Sequence, residues 1–265
     1  MKNILNIVDE TRIPCIIPSI AGNLHFEKLF SSILIDYFQL FFIQPSISNK
    51  IKANINLDQV VEDIESLRKK LRLKLISLLG FSVNGFIVLE YAKKYPQNTA
   101  RLLLIGAFPT TKDIEKIRNE YWNSFASTKR KLILKEKLSQ ARLVEIKNSN
   151  AFIKNYIANG PRYSYNPYYD TSWFWKNNIV NFEAVNHFDV LFTNYNPTIY
   201  FNKIKCPIFI AHGKYDFVVP HILWNNEIKK FKNCTYYLFK KSGHYPFIEE
   251  HKNFIEKLKN WLKKY

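Results

Sequence analysis

The stretch from Leu75 to Pro96, LISLLGFSVNGFIVLEYAKKYP, constrains this chain more than any other. Leu75 to Leu79 is a bounded apolar run, the pattern of a strand buried on both faces of a parallel sheet. Phe86 to Tyr95 has the pattern of a helix, closed by Pro96. Between them a turn carries Ser82, flanked by Gly80 and Gly85. A strand that runs through a tight turn straight into a helix needs a second parallel strand for the helix to return to, so the chain reads as α/β.

The rest of the sequence repeats that alternation. Pro14 to Ile17 is a short strand, His25 to Leu34 a helix and Phe38 to Ile43 an aromatic-rich strand. A helical pattern with Val60, Val61, Ile64, Leu67 and Leu71 on one face runs to Arg72, with Asn56 or Asp58 as its cap. Further strands are expected at Arg101 to Ile105, Pro207 to Ala211 and Thr235 to Phe239, and an amphipathic helix at the C-terminus. From about 110 to 200 the pattern changes: helical segments at Lys112–Asn123 and Thr128–Ile146 lead into PRYSYNPYYDTSWFWKNN, with no apolar strand between. The expected organisation is a mostly parallel central sheet flanked by helices, formed by residues 1–109 and 201–265. Residues 110–200 are inserted as a mainly helical lid.

Composition limits the function classes. An apolar content of 47% with 21 Phe, 16 Tyr and 5 Trp supplies a core and an apolar pocket and argues against disorder. The formal charge of +17 could favour anionic substrates, an acidic carrier protein or a membrane surface. The excess is lysine spread along the chain, so a solvated surface is preferred and no nucleic-acid module is expected. Cys15, Cys206 and Cys234 lack metal-ligand or disulfide spacing, and Cys15 and Cys206 read as buried thiols. The N-terminus lacks the core of a signal peptide, and the greasiest run, LFSSILIDYFQLFFI, is too short and polar to span a membrane. A cytoplasmic enzyme without metal or cofactor is the expectation.

A serine hydroxyl becomes a good nucleophile only beside a base, and the base needs an orienting group. Asp216 follows the strand PIFIA in HGKYD, and His244 follows the strand TYYLF in KKSGH. Ser82, Asp216 and His244 therefore all sit just past strand ends, where parallel sheets gather their sites. Among rival groups, His212 belongs to the same turn as Asp216, His25 and His187 fall in helical or lid segments, and His221 and His251 read as surface residues. No carboxylate lies between Gly106 and Lys112 to compete with Asp216.

GFSVNGFIVLEYAKKYP, PIFIAHGKYDFVVP and SGHYPFIEEHKNF together resemble the signature regions of α/β-hydrolases, and most of all the branch of the serine proline iminopeptidases, from about Pro14 to the end. The resemblance implies Ser82 as nucleophile, His244 as general base and acid, and Asp216 as the orienting carboxylate. It also implies oxyanion donors at the backbone N–H of Val83 and of a residue in PSIAGN, by alignment Ile20 in preference to Ser19. Asn84 stands where these proteins usually carry a small residue because strand and helix approach closely. The early loop lacks its usual His-Gly motif, and the N-terminus leaves little room for an opening hairpin.

The lid aromatics Tyr163, Tyr165, Trp173, Phe174 and Trp175 either dock the lid or wall an apolar pocket over Ser82. In the resembled branch, lid carboxylates hold a substrate's free amine; the candidates here include Glu120, Asp170, Glu183 and Asp189. The leading expectation is a serine hydrolase acting through an acyl-enzyme on an ester, thioester or amide with an apolar portion. A proline iminopeptidase-like aminopeptidase, a thioesterase or acyltransferase working on carrier-linked chains, and a non-catalytic ligand-binding homologue remain open.

Overall fold

Period-two burial explains the architecture. In the computed structural model, which describes residues 4–7, 11–44, 56–141 and 146–265, seven strands form one sheet in the order β1-β3-β2-β4-β5-β6-β7. They are β1 (Ile4–Ile7), β2 (Ile13–Pro18), β3 (Phe38–Ile43), β4 (Ile76–Phe81), β5 (Thr99–Ile105), β6 (Ile208–Gly213) and β7 (Cys234–Phe239). All neighbours are parallel except β1, which runs antiparallel to β3. Alternate residues of β2 to β7 face opposite layers. Leu78, Leu102, Leu104 and Ile210 pack with helices α2 (Leu57–Lys70) and α3 (Gly85–Lys94). Leu79, Leu103, Ile105 and Phe209 pack with α1 (Asn23–Leu34) and the C-terminal helix His251–Lys264. Both faces are covered, so the strands read as continuous apolar runs.

Between β5 and β6 the chain forms only helices and loops among the described residues: α4 (Ile114–Phe125), α5 (Thr128–Ala141), α6 (Ser149–Ala158), α7 (Gly160–Tyr163), α8 (Ser172–Trp175) and α9 (Phe182–Leu191), then a 3₁₀ stretch Pro197–Lys203. After β7 come α10 (Pro246–Glu249) and α11, the C-terminal helix named above. Buried Arg130 of α5 holds the α7 segment by donating to the carbonyls of Pro161, Ser164 and Tyr165. Among the described residues, no helix is long and apolar enough to cross a membrane.

Several expectations shift. The N-terminus does supply one antiparallel edge strand, β1, in the space thought too small for a hairpin. Leu75 is 45% exposed and precedes β4, which instead continues through Gly80 and Phe81 to the very edge of Ser82. Asn56 is the cap of α2, its side chain accepting from the Gln59 N–H, and the helix ends at Lys70 because Arg72 turns left-handed. The helix expected to reach Ile146 does not include that residue: it is described as far as Ala141, and residues 142–145 lie outside the described residues. Cys15 is buried as expected, whereas Cys206 is only half-buried, since it precedes β6.

Candidate active site

Ser82 is delivered by the end of β4 in a left-handed conformation, φ 54°, before a single 3₁₀ turn (Ser82–Asn84) opens α3. A non-glycine residue there costs on the order of 1 kcal/mol or more and persists only where the surroundings impose it. Here they do. A Cβ on Gly80 would lie 2.6 Å from the Gly85 Cα, and one on Gly85 2.7 Å from the Ala107 Cβ. Strand and helix therefore meet at Gly80 and Gly85, not at Asn84. This corrects the expectation that a small residue is needed at Asn84.

Asn84 is buried and turned toward the early loop instead. Its Oδ1 accepts from the Ile20 N–H at 3.1 Å, and its Nδ2 donates to the Phe81 carbonyl at 3.2 Å. The Ile20 N–H, expected to face an oxyanion, is thus engaged by a side chain 64 residues away. Ser19 is engaged as well: its N–H donates to the Ile43 carbonyl and its hydroxyl to that of Gly22.

The loop after β6 buries Asp216 completely. One carboxylate oxygen accepts from the N–H groups of Val218 (2.9 Å) and Val219 (2.7 Å); the other accepts from His244 Nδ1 at 2.6 Å. An acceptor-only carboxylate there puts the proton on Nδ1 and leaves Nε2 with its lone pair. The His244 N–H donates to the Tyr163 carbonyl at 2.6 Å, and His244 lies over Gly106, where any Cβ would come within 3.0 Å of its carbonyl oxygen and 3.1–3.2 Å of its imidazole. Gly106, at φ 52°, also needs the freedom of glycine for its backbone. Phe81, the neighbour of Ser82, sets its ring 4.9 Å from the imidazole. A hydrogen bond from Ser82 to His244 is not among the contacts of the described residues; such bonds commonly tighten only with substrate.

His212 is buried 3.7 Å from the same carboxylate. Burial pushes its pKa down to about 4, so it stays neutral and donates through Nε2 to the Val219 carbonyl at 2.6 Å. It braces the Asp216 turn. Glu249 clips the same region from the other side, accepting from the N–H groups of Gly243 (2.7 Å) and Tyr165 (2.6 Å), with burial raising its pKa to about 7.

Ser82, Val83, Asn84 and Ile20 open onto a cavity of about 790 Å³. Of the five lid aromatics expected to wall it, Tyr163 and Trp175 do. Tyr165 and Trp173 are 39% and 43% exposed, and Phe174 is buried against Tyr245 at 4.8 Å, outside the cavity wall. Successive residues of a helix point about 100° apart, so Trp173, Phe174 and Trp175 of α8 cannot share one face. The missing wall comes from His25, Phe26, Phe152 and Tyr156. His25 stacks on Trp175 at 4.1 Å and, with Nδ1 near the Phe174 carbonyl, is kept neutral by burial, its pKa near 4. Its place on the first turn after the PSIAGN loop, beside Phe26, was the one sequence signal for it. The cavity lining also includes the charged residues Glu115, Arg118 and Asp189. Asp189 is more than a third exposed, yet enclosed enough for desolvation to raise its carboxyl pKa, with Arg118 opposing. Glu120, Asp170 and Glu183 do not line the cavity.

The buried Asp216–His244 pair and the left-handed Ser82 thus each follow the end of a parallel strand of one sheet. The model of the family described as alpha/beta hydrolase fold matches residues 31–251, and the chain belongs to that family. Relatives include the AB hydrolase superfamily protein YclE of Bacillus subtilis, 24% identical over 92% of this chain and 90% of that protein. A proline iminopeptidase of Clostridium botulinum is 27% identical over 77% of this chain and 71% of its own length. Among solved structures, an esterase from Exiguobacterium antarcticum superposes with a TM-score of 0.71 at 19% identity, over 98% of this chain and 94% of that one.

Proposed function

We propose that the protein is a serine hydrolase that cleaves an ester, thioester or amide bearing an apolar portion, through an acyl-enzyme. The observation that carries this reading is the 2.6 Å bond from His244 Nδ1 to buried Asp216, taken together with a left-handed Ser82 that opens onto an aromatic-walled cavity. Ser82 Oγ attacks the carbonyl carbon while His244 Nε2 takes its proton. Asp216 stabilises the imidazolium, and the Val83 N–H donates to the developing oxyanion. His244 then returns the proton to the leaving group, and water repeats the cycle on the ester of Ser82. Residues 110–200 act as the lid, with Tyr163 and Trp175 joined by His25 and Tyr156 in selecting the apolar portion. Labelling by a fluorophosphonate probe tests the reading: the wild type is labelled, Ser82→Ala is not, and absence of labelling of the intact protein refutes it.

A second reading has one observation in its favour. Asp189 lines the cavity and can attract a substrate's free amine, as an aminopeptidase of the proline iminopeptidase type requires. Turnover of proline amides, lost in Asp189→Asn, supports that version; turnover of simple esters but not of proline amides rejects it.

A further inference from the structure

We propose that the Asn84 carboxamide occupies the oxyanion seat of the Ile20 N–H in the resting site, so that Asn84 is a positioning residue that holds one of two oxyanion donors in reserve. The inference rests on the serine hydrolase reading and concerns its regulation. The orientation of the amide is set by its partners: a donor, the Ile20 N–H, faces one end and an acceptor, the Phe81 carbonyl, faces the other. A flipped amide would set donor against donor and oxygen against oxygen. The oxygen therefore lies 3.1 Å from the Ile20 nitrogen, the distance at which a substrate oxyanion would bind. Asn84 and Ile20 both line the cavity with Ser82 and Val83, so the seat belongs to the reaction site and not to the remote core.

Two consequences follow. A substrate oxygen reaches the Ile20 N–H only by displacing the carboxamide, which breaks a satisfied, buried pair of hydrogen bonds. Substrates anchored strongly elsewhere in the cavity can drive that displacement, whereas small, weakly held esters meet a site with the Val83 donor alone. Asn84 thereby disfavours turnover of small acyl compounds without touching the reacting bond.

The test compares Asn84→Ala, Asn84→Gly and Asn84→Asp with the wild type, measuring Ser82 labelling by a fluorophosphonate and hydrolysis of a short-chain 4-nitrophenyl ester. Loss of a single oxyanion donor costs about 10²–10³-fold in turnover; release of one should raise kcat about tenfold or more in the Ala and Gly variants, with KM moving less. Asn84→Asp keeps an oxygen on the Ile20 N–H but sets its second oxygen against the Phe81 carbonyl, so it should not show the gain of the Ala and Gly variants. In parallel, NMR follows the Ile20 amide proton, which moves when a boronic acid bonded to Ser82 takes the seat. Ser82-dependent labelling that is unchanged or slower in folded Ala and Gly variants overturns the inference and leaves the hydrolase reading standing. Absence of Ser82-dependent labelling in every variant overturns both. If the variants do not fold, the wild type decides: an unmoved Ile20 resonance in the saturated boronate adduct overturns the inference, and a shifted one supports it.

Discussion

Replacing Asp216 by asparagine probes the site with least disturbance to its packing. One oxygen of Asp216 serves two backbone donors, Val218 and Val219, and the other serves His244. Asparagine has one oxygen and one amino group, so its orientation is a choice between two costs. Turning the amino group toward Val218 and Val219 leaves one buried and one part-buried N–H group unpaired, at about 1–3 kcal/mol for the buried one and less for the other. Turning it toward His244 costs less, because the imidazole can answer by moving its proton from Nδ1 to Nε2. The second orientation prevails, and Nε2 then has no lone pair with which to take the Ser82 proton. The expected outcome is a fall of about 10³–10⁴-fold in kcat or in the rate of fluorophosphonate labelling. The melting temperature should change little, since both backbone donors keep an acceptor. Asp216→Ala, by contrast, strands three donors and destabilises the fold. A folded Asp216→Asn variant that reacts within tenfold of the wild type would refute both the proton assignment and the role of His244.

The remaining predictions concern packing, pH and the cavity wall. Gly85→Ala pushes a methyl 2.7 Å from the Ala107 Cβ and should cost about 1–3 kcal/mol in a urea melt, with much of it recovered in the Gly85→Ala/Ala107→Gly double variant because no other contact is that close. Between about pH 4.5 and 6.5 the unfolded chain holds two protons, on His25 and His212, that the folded chain lacks. It lacks one that folded Glu249 keeps, because burial lowers the two histidines to about 4 and raises Glu249 to about 7. The unfolded state thus binds one proton more, so these groups make stability rise with pH by about 1.4 kcal/mol per unit in that window; half-buried His221 is shifted in the same sense. Glu249→Gln should steepen the slope, and a flatter slope in denaturant midpoints would contradict the assignment. Trp175→Ala removes the ring that stacks on His25 and lines the cavity, and should raise KM for esters with bulky apolar groups more than it lowers kcat for acetate esters.

Strand ends were the legible part of this candidate site, for a physical reason. Strands buried on both faces leave long apolar runs, so β3, β4, β5 and β6 announced themselves, and the residues just beyond β4, β6 and β7 could be singled out by chemistry alone. The partial exposure of β7 did not hide it, because its last residue, Phe239, still closes the core immediately before the loop that carries His244. The cavity wall was not legible. Its composition depends on where α8 lands and how it rotates, and the sequence places Trp173, Phe174 and Trp175 in one aromatic block although they diverge to solvent, core and cavity.

The two glycines around Ser82 show where pattern and cause separate. In the sequence, Asn84 stands where a small residue is usual, and the next glycine follows one position later at Gly85. The 2.6 and 2.7 Å approaches show that the glycine needed for packing is Gly85, so the chain keeps the close contact it requires. Freed from that constraint, position 84 can carry a polar side chain, and the one it carries spans 64 residues to take the Ile20 N–H. No local periodicity records such a contact, because it depends on two loops meeting at the ends of β2 and β4. Asn84 is therefore better understood as a link between the turn that carries Ser82 and the loop that carries Ile20.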